Sequence, residues 1–199
     1  MTLLGLGAFP MTHSLALGML GMHGTAYANH AIMDSDLIIA VGARFDDRVT
    51  GKLDAFAPHA SVIHIDIDPA SVSKTVDVDI PIVGDAAIVL RQLERIVKKP
   101  ETKEWLKTID GWKKTYPMKY KDDEKLRPQY IVEQIYEATK GDAIICTEVG
   151  QNQMWAAQYF KFTKPRTIIS SGGLGTMGYG FPAAIGAKLG KPKMPVFDV

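Results

Sequence analysis

Asp36-Leu37-Ile38-Ile39-Ala40-Val41-Gly42 opens the stretch DLIIAVGARFDDRVTG, residues 36–51. The run is short, apolar and rich in β-branched residues, and it stops at a glycine. That combination predicts a fully buried strand with a loop starting at its carboxyl end. Two similar runs follow, Ser61-Val62-Ile63-His64-Ile65-Asp66-Ile67 and the shorter Ile80-Pro81-Ile82-Val83. Pro81 has no amide hydrogen to give a ladder, which sends the third run to a sheet edge or a strand end. Residues 24–35 have helical composition. After Val83, Asp85 suits a helix N-cap, and Ile88, Val89, Gln92, Leu93, Ile96 and Val97 keep helical spacing.

From Lys98 to Arg127 the character changes. This stretch is rich in lysine interleaved with acidic residues, as expected of a solvated helical face. It carries Trp105, Leu106, Ile109 and Trp112 at helical spacing, which marks them as packing residues, and it ends in the polar KDDEKLRP. An amphipathic helix and linker is expected. The pattern then restarts. Pro128 suits a helix first turn, and Tyr130, Ile131, Gln134, Ile135 and Ala138 follow it. Strands are expected over 143–147, 167–170 and 196–199, with helices over 151–160 and near 181–189. Alternating strands and helices imply parallel sheets covered on both faces. The expected fold is α/β, with two partial parallel-sheet units joined by a helical linker: residues 1–97, 98–127 and 128–199.

The bulk composition narrows the function classes. Among 199 residues, 46% are hydrophobic and the formal net charge is +1, so a core is available and nothing points to nucleic acid or an anionic membrane. No apolar run reaches the ~20 residues of a membrane span, and the opening MTLLGLGAFP lacks a basic leader region. The single cysteine, Cys146, excludes an internal disulfide and reads as a buried structural thiol. A reducing, soluble compartment, the cytoplasm, is expected. His13, His23, His30, His59 and His64 form no zinc-like pattern with that cysteine, and no metal ligands are assigned within the chain.

In open parallel sheets, ligands bind beyond the carboxyl ends of the strands. Four stretches occupy such positions. In VGARFDDRVTG (41–51), Gly42 permits close backbone approach and Arg44 and Arg48 offer forked donors to phosphate or carboxylate. The same loop also reads as a surface turn whose two arginines and two aspartates neutralise one another. In HIDIDPASVSK (64–74), alternation sets Ile63, Ile65 and Ile67 against His64, Asp66 and Asp68. An acidic residue at a strand end can accept from ribose hydroxyls, while the plainer reading has Asp68-Pro69 begin a turn and His64 pack within the strand.

The third stretch, SSGGLGTMGYGFPAAIGA (170–187), carries Gly172, Gly173, Gly175, Gly178 and Gly180 between a strand and a helix. That density removes side-chain bulk where a flat group or a backbone comes close. It also gathers backbone N–H groups at a helix start suited to anions. Neither a Walker A loop nor a nucleophile elbow is present. The fourth, EVGQNQMWAAQ (148–158), offers Gln151 and Asn152 as neutral donors at another helix start.

Taken in order, MLGMHGTAYANHA, DLIIAVGARFDDRVTGKLDAFAP, VIHIDIDPASVSK, PIVGD, TEVGQNQMWAAQYF and SGGLGTMGYGFPAAIGA resemble the catalytic subunit of the acetohydroxyacid synthase (acetolactate synthase) family over nearly the whole chain. The resemblance implies thiamine diphosphate with Mg²⁺ and a structural FAD. The implied reaction decarboxylates pyruvate and joins the product to a second 2-ketoacid in valine, leucine and isoleucine biosynthesis. It implies that residues 1–97 are the C-terminal part of a central FAD-binding domain of the DHS-like FAD/NAD-binding type. Residues 128–199 would be the N-terminal half of the thiamine diphosphate domain.

By the same resemblance, Met22, His23, Gly24, Gly42, Ala43 and Arg44 belong to one FAD segment, and Asp66, Ile67, Asp68, Gly84 and Asp85 to the other. Gly24 and Gly42 would let the flavin nucleotide approach the backbone, and Arg44 would meet its phosphates. Met22 and His23 would lie near flavin and substrate, and Arg48 would hold the carboxylate of the second ketoacid. Val149, Gly150, Gln151 and Asn152 would line the diphosphate, with Asn152 standing where many relatives have His. The carbonyl of Gly175 would bond the aminopyrimidine, and Met177 would fill the bend between the cofactor's rings.

The family's catalytic glutamate is expected in an N-terminal domain, and its metal ligands beyond Val199, since Asp198 lies inside the terminal strand. These 199 residues alone are therefore expected to be inactive and to bind FAD weakly. A full-length subunit is expected as a homodimer or tetramer, with a regulatory small subunit allowed. The RFDDR loop together with GGLGTMGYG favours this family over another flavin-containing thiamine enzyme of the glyoxylate carboligase or pyruvate oxidase type. A third reading, a nucleotide-binding or assembly module that retains FAD without catalysis, stays open, and a flavin spectrum of the desalted protein tests it.

Overall fold

The structure, a computed structural model, describes residues 1–121 and 123–199; Asp122, within the polar KDDEKLRP segment, lies outside the described residues. Two compact units are present, Ala26–Pro117 and a second made of Met1–Thr25 with Met118–Val199.

The first unit runs α1 (Ala26–Met33), β1 (Leu37–Val41), the one-turn α2 (Asp47–Thr50), β2 (Ser61–Asp66), β3 (Ile80–Val83), α3 (Ala86–Ile96) and α4 (Lys103–Thr115). Its sheet has the order β1-β2-β3 and is wholly parallel, with Ile39 opposite Ile63 and Ile63 opposite Ile80. Pro81 therefore sits on an edge strand, where its missing donor does least harm. β1 buries Ile38 and Ala40 in a cluster with Phe45, Phe56 and Val62. Phe45 and Phe56 meet edge to face at 6.1 Å.

Leu37, Ile39 and Val41 on the other face of β1 are exposed, so the expected cover on both faces is not met at this strand. The loop aromatics and α1 residues such as Ile32 and Met33 fill one side only. In α4, Trp105 and Trp112 pack edge to face at 5.6 Å, and His30 of α1 stacks on Trp112 at 5.4 Å and on Tyr116 at 5.2 Å. The apolar face that marked residues 98–127 as amphipathic is thus spent on α1, inside this unit.

The second unit contains α5 (Pro128–Thr139), β4 (Ile144–Thr147), α6 (Gln151–Tyr159), β5 (Ile168–Ser170), α7 (Gly180–Gly190) and β6 (Val196–Asp198). Its parallel sheet has the order β5-β4-β6, and the central β4 is buried at every position. Pro128 occupies the first turn of α5, where no amide hydrogen is required. Val132, Ile145, Ala156, Ala157, Phe160 and Phe162 form the core, and Leu6 and Met19 join it from the N-terminal segment. The Met11 amide bonds the Phe162 carbonyl at 2.9 Å, and the Met1 ammonium bonds the Gly18 carbonyl at 2.7 Å. Residues 1–25 thereby pack with the elements of 118–199. Cys146 is fully buried, and burial, with the Asp198 carboxylate second, pushes its thiol up to about 11. Among the described residues no helix is long and apolar enough to cross a membrane.

Candidate functional site

Because β1, β2 and β3 are parallel, their carboxyl ends share one edge of the sheet. Gly42, Ala43 and Arg44 follow β1; Asp66 ends β2, with Ile67 and Asp68 after it; Gly84 and Asp85 follow β3. The Gly42 amide donates to the Ile65 carbonyl at 2.8 Å and the Gly84 amide to the Asp66 carbonyl at 2.9 Å, which holds both turns on the ladder. Gly42 has φ +60° and nothing within 4 Å of an added Cβ, so both its conformation and the space beside it suit a close neighbour. The carboxylates are oriented by backbone donors. Asp66 Oδ1 accepts from the Asp68 amide at 2.9 Å, Asp68 Oδ1 from the Ala70 amide at 2.9 Å, and Asp85 Oδ1 from the Ile88 amide at 3.0 Å.

The arginine loop does pair with itself. Arg44 bonds Asp46, and Arg48 lies 3.6 Å from Asp47. Asp46 also caps α2 through the Arg48 amide, and that backbone bond leads the causes holding its carboxyl below the usual range. Yet the Arg44 and Arg48 side chains are 70% and 69% exposed, so both guanidinium faces stay open to an anion. His64 is fully buried against Phe45, ring centroids 5.2 Å apart, in keeping with a packed strand residue.

Met22, His23 and Gly24 fall in the other unit. A Cβ on Gly24 would stand 2.5 Å from the Leu20 carbonyl carbon and nearer still to the Met19 carbonyl oxygen. Its lack of a side chain is therefore required by the tight turn of its own chain. The His23 carbonyl accepts from Gln158 Nε2 at 2.7 Å, and Met22 is exposed.

At the carboxyl edge of the second sheet, side chains link all three strands. Thr147 Oγ1 and Ser170 Oγ are 2.7 Å apart, Gln153 Nε2 donates to Ser170 Oγ at 2.6 Å, and Asn152 Nδ2 donates to the Val199 carbonyl at 2.7 Å. α6 starts after Glu148, Val149 and Gly150 without a side-chain cap, leaving the positive end of the helix and its first N–H groups at this edge. Gln151 is exposed beside it.

The glycine-rich loop runs from Ser171 to α7. Gly175 (φ +64°) donates its amide to the Ser171 carbonyl at 2.8 Å, and the Thr176 amide bonds Ser171 Oγ at 2.9 Å. Gly173 and Gly178 have nothing within 4 Å of an added Cβ, whereas one on Gly180 would meet Asp198 Oδ1 at 2.5 Å and the Glu148 nitrogen at 2.7 Å. The Met177 side chain is 81% exposed.

Glu148 is the functional-looking residue that the sequence reading passed over. Its Oε2 accepts from the Gly178 amide at 2.8 Å, and its Oε1 from Gly180 at 2.8 Å and Phe181 at 3.2 Å. Burial raises its carboxyl, but the backbone donors of Phe181, Gly178 and Gly180 outweigh it and hold the group below the usual range. This changes the expectation for the loop, because the anion at the start of α7 is the chain's own carboxylate. The uncapped start in this edge is that of α6. No local pattern marks Glu148 for the task, since its partners lie 30 to 33 residues away. Asp198, raised by burial and then by Glu148, stands beside it. Among the described residues no group of three or more acidic, His or Cys side chains is placed to hold a metal ion.

Comparison with known proteins gives two family matches. Residues 1–93 match the family described as "Thiamine pyrophosphate enzyme, central domain", and residues 148–199 match "Thiamine pyrophosphate enzyme, C-terminal TPP binding domain". The second match starts at Glu148 and takes in α6, the glycine loop, α7 and β6. The whole chain aligns at 51% identity with the acetolactate synthase isozyme 3 large subunit of Escherichia coli and at 50% with the acetolactate synthase large subunit of Buchnera aphidicola subsp. Schizaphis graminum. It aligns at 49% with the chloroplastic acetolactate synthase 2 of Nicotiana tabacum. The chain spans about a third of these relatives, 36%, 36% and 31% of their lengths. With both family matches in chain order and similarity unbroken from end to end, the chain belongs to the thiamine pyrophosphate enzymes, as a homologue of acetolactate synthase large subunits.

Proposed function

We propose that this chain forms part of an acetolactate synthase large subunit that uses thiamine diphosphate (thiamine pyrophosphate) and Mg²⁺. That subunit would decarboxylate pyruvate and join the two-carbon product to a second 2-ketoacid. The observation that carries the reading is the second sheet's carboxyl edge, where an uncapped helix start and an open glycine loop lie on one strand-end frame. These features fit the cofactor. Gly173 and Gly178 leave room for a flat ring, and the start of α6 suits a diphosphate.

Gly150 and Gln151, with Val149 and Asn152 beside them, would hold the diphosphate. The Gly175 carbonyl would accept from the aminopyrimidine, and the exposed Met177 would fill the bend between the rings. When bound, the cofactor supplies the electron sink for decarboxylation, and the chain's part is to bind and orient it. Mg²⁺ would take oxygen ligands and supply positive charge to offset that of the diphosphate, and no residue of this chain is assigned to hold it.

At the first sheet's edge we assign FAD. Gly42 and Ala43 offer open backbone, Arg44 a guanidinium for phosphate, and Asp66, Ile67, Asp68, Gly84 and Asp85 a polar rim. Arg48 would hold the carboxylate of the second ketoacid. Assembly as a homodimer or tetramer with a regulatory small subunit, in the cytoplasm, belongs to the same reading.

Product formation tests it. A full-length subunit carrying this segment, given pyruvate, thiamine diphosphate and Mg²⁺, is expected to release acetolactate. Carboligation of glyoxylate, or oxidative decarboxylation of pyruvate with no acetolactate, would replace this reading by a related thiamine enzyme.

A further inference from the structure

Glu148 stands just beyond β4 and just before the Gly150 turn that starts α6. Its two oxygens are both engaged, Oε2 by the Gly178 amide and Oε1 by the Gly180 and Phe181 amides. Bonds to Gly180 and Phe181 are what any helix cap makes. The bond to Gly178 is not, because α7 begins at Gly180 and Gly178 lies outside its first turn. That bond instead fixes the residue directly after Met177. At its other end the loop is held by Ser171, through the Gly175 and Thr176 amides. Between these two anchors the chain has little packing of its own, with Leu174 and Met177 exposed and positive φ at Gly175 and Gly178. Glycine-rich backbone of this kind changes conformation at little cost unless it is tied down.

We propose that Glu148 is a positioning residue that ties the Gly175–Gly178 segment to the Gly150–Asn152 segment, so that the two groups of cofactor contacts keep a fixed separation. The inference rests on the thiamine diphosphate reading of this unit. Among the described residues, the titratable group facing Glu148 from the packed elements is Asp198 of β6. The start of α7 supplies the compensating partial positive charge.

Amide hydrogen exchange on this chain tests the tie directly, with wild type compared with Glu148→Ala and Glu148→Gln. The Ile145 amide, which bonds the Thr167 carbonyl at 2.8 Å within the sheet, serves as the reference. Glu148→Ala is expected to lower protection at Gly178, Gly180 and Phe181 by about tenfold or more, with Ile145 unchanged. Gln keeps one acceptor oxygen and presents an NH₂ on the other side, so Glu148→Gln is expected to release one side, Gly178 or the Gly180–Phe181 pair, and keep the other.

Unchanged protection at Gly178 in Glu148→Ala would overturn the proposal, as would an equal loss at Ile145, which would signal general destabilisation. Calorimetric titration of the full-length subunit, with and without the same substitutions, by thiamine diphosphate and Mg²⁺ supplies the second readout. The Gln variant is expected to bind about tenfold more weakly. Loosened amides with no binding by wild type would leave the tie standing and remove the cofactor reading. Binding by wild type with equal affinity in the Gln variant would do the reverse.

Discussion

At Gly180 a side chain is excluded by backbone as well as by Asp198, since an added Cβ would lie 2.7 Å from the Glu148 nitrogen and 2.8 Å from the Thr147 carbonyl carbon. Gly180→Ala must push the start of α7 off the ends of β4 and β6, and a loss of about 1–3 kcal/mol is expected from urea unfolding. Gly173 has nothing within 4 Å, and its backbone lies outside the left-handed region. Gly173→Ala is expected to leave stability within about 0.5 kcal/mol while weakening thiamine diphosphate binding. Similar stability losses in both variants would show that the loop glycines serve packing alone.

His64 gives a different residue-scale case. It is fully buried and neither ring nitrogen has a hydrogen-bond partner among the described residues, with Asp66 Oδ2 3.7 Å from Nε2. An unsatisfied buried polar group lowers stability, so His64→Leu, similar in bulk, is expected to be neutral or stabilising within about 1 kcal/mol. A loss above about 3 kcal/mol in the same assay would reveal a bond the ring depends on.

The helices differ most in how their first turns are satisfied. Asp85 caps α3, Pro128 removes one donor from the start of α5, Glu148 reaches the start of α7 from another strand, and α6 has no side-chain cap. Asp85→Ala is expected to cost about 1 kcal/mol through lost capping. Asp85→Ser should restore most of that stability, because a hydroxyl also caps. If Asp85 also meets the flavin as proposed, the serine variant of the FAD-loaded full-length subunit will retain less flavin after desalting despite its restored stability.

Caps such as Asp85 were legible in the sequence because they act within one turn. The same holds for Pro81 on its edge strand and for the strand at 61–66. The Glu148 bonds were not, because no local pattern couples a strand end to amides 30 residues on. Nor was the burial of Leu6 and Met19 beside Ile145 and Phe160, which depends on tertiary packing and not on periodicity. Of the site, glycine density and strand-end position were visible. Which glycine is crowded and which is open was not, since that depends on what lies opposite each one.

For the molecule as a whole, a formal net charge of +1 leaves little general self-repulsion near neutral pH, so particular carboxylates govern the response to acid. Among the described residues three lie below their usual range: Asp123 chiefly through the side-chain bond from Arg127, Asp46 chiefly through the Arg48 amide, and Glu148 where loop amides outweigh burial. Each bond exists only in the folded chain. Its contribution is complete above the ordinary value, 4.5 for Glu148 and 3.8 for the aspartates, where both states are ionised. As pH falls, the unfolded chain takes up protons first, and the contribution is lost down through the folded value. Asp198 acts oppositely: burial and Glu148 raise it, so ionising it above 3.8 and through its folded value costs stability. Urea midpoints measured from neutral pH downward should therefore fall below about pH 4.5. Glu148→Gln should flatten that fall, because it removes a carboxylate that titrates later in the folded state. Asp198→Asn should raise the midpoint at neutral pH and steepen the fall, because the opposing group is gone. A Glu148→Gln curve parallel to wild type would show that the carboxylate's charge contributes nothing to holding the loop.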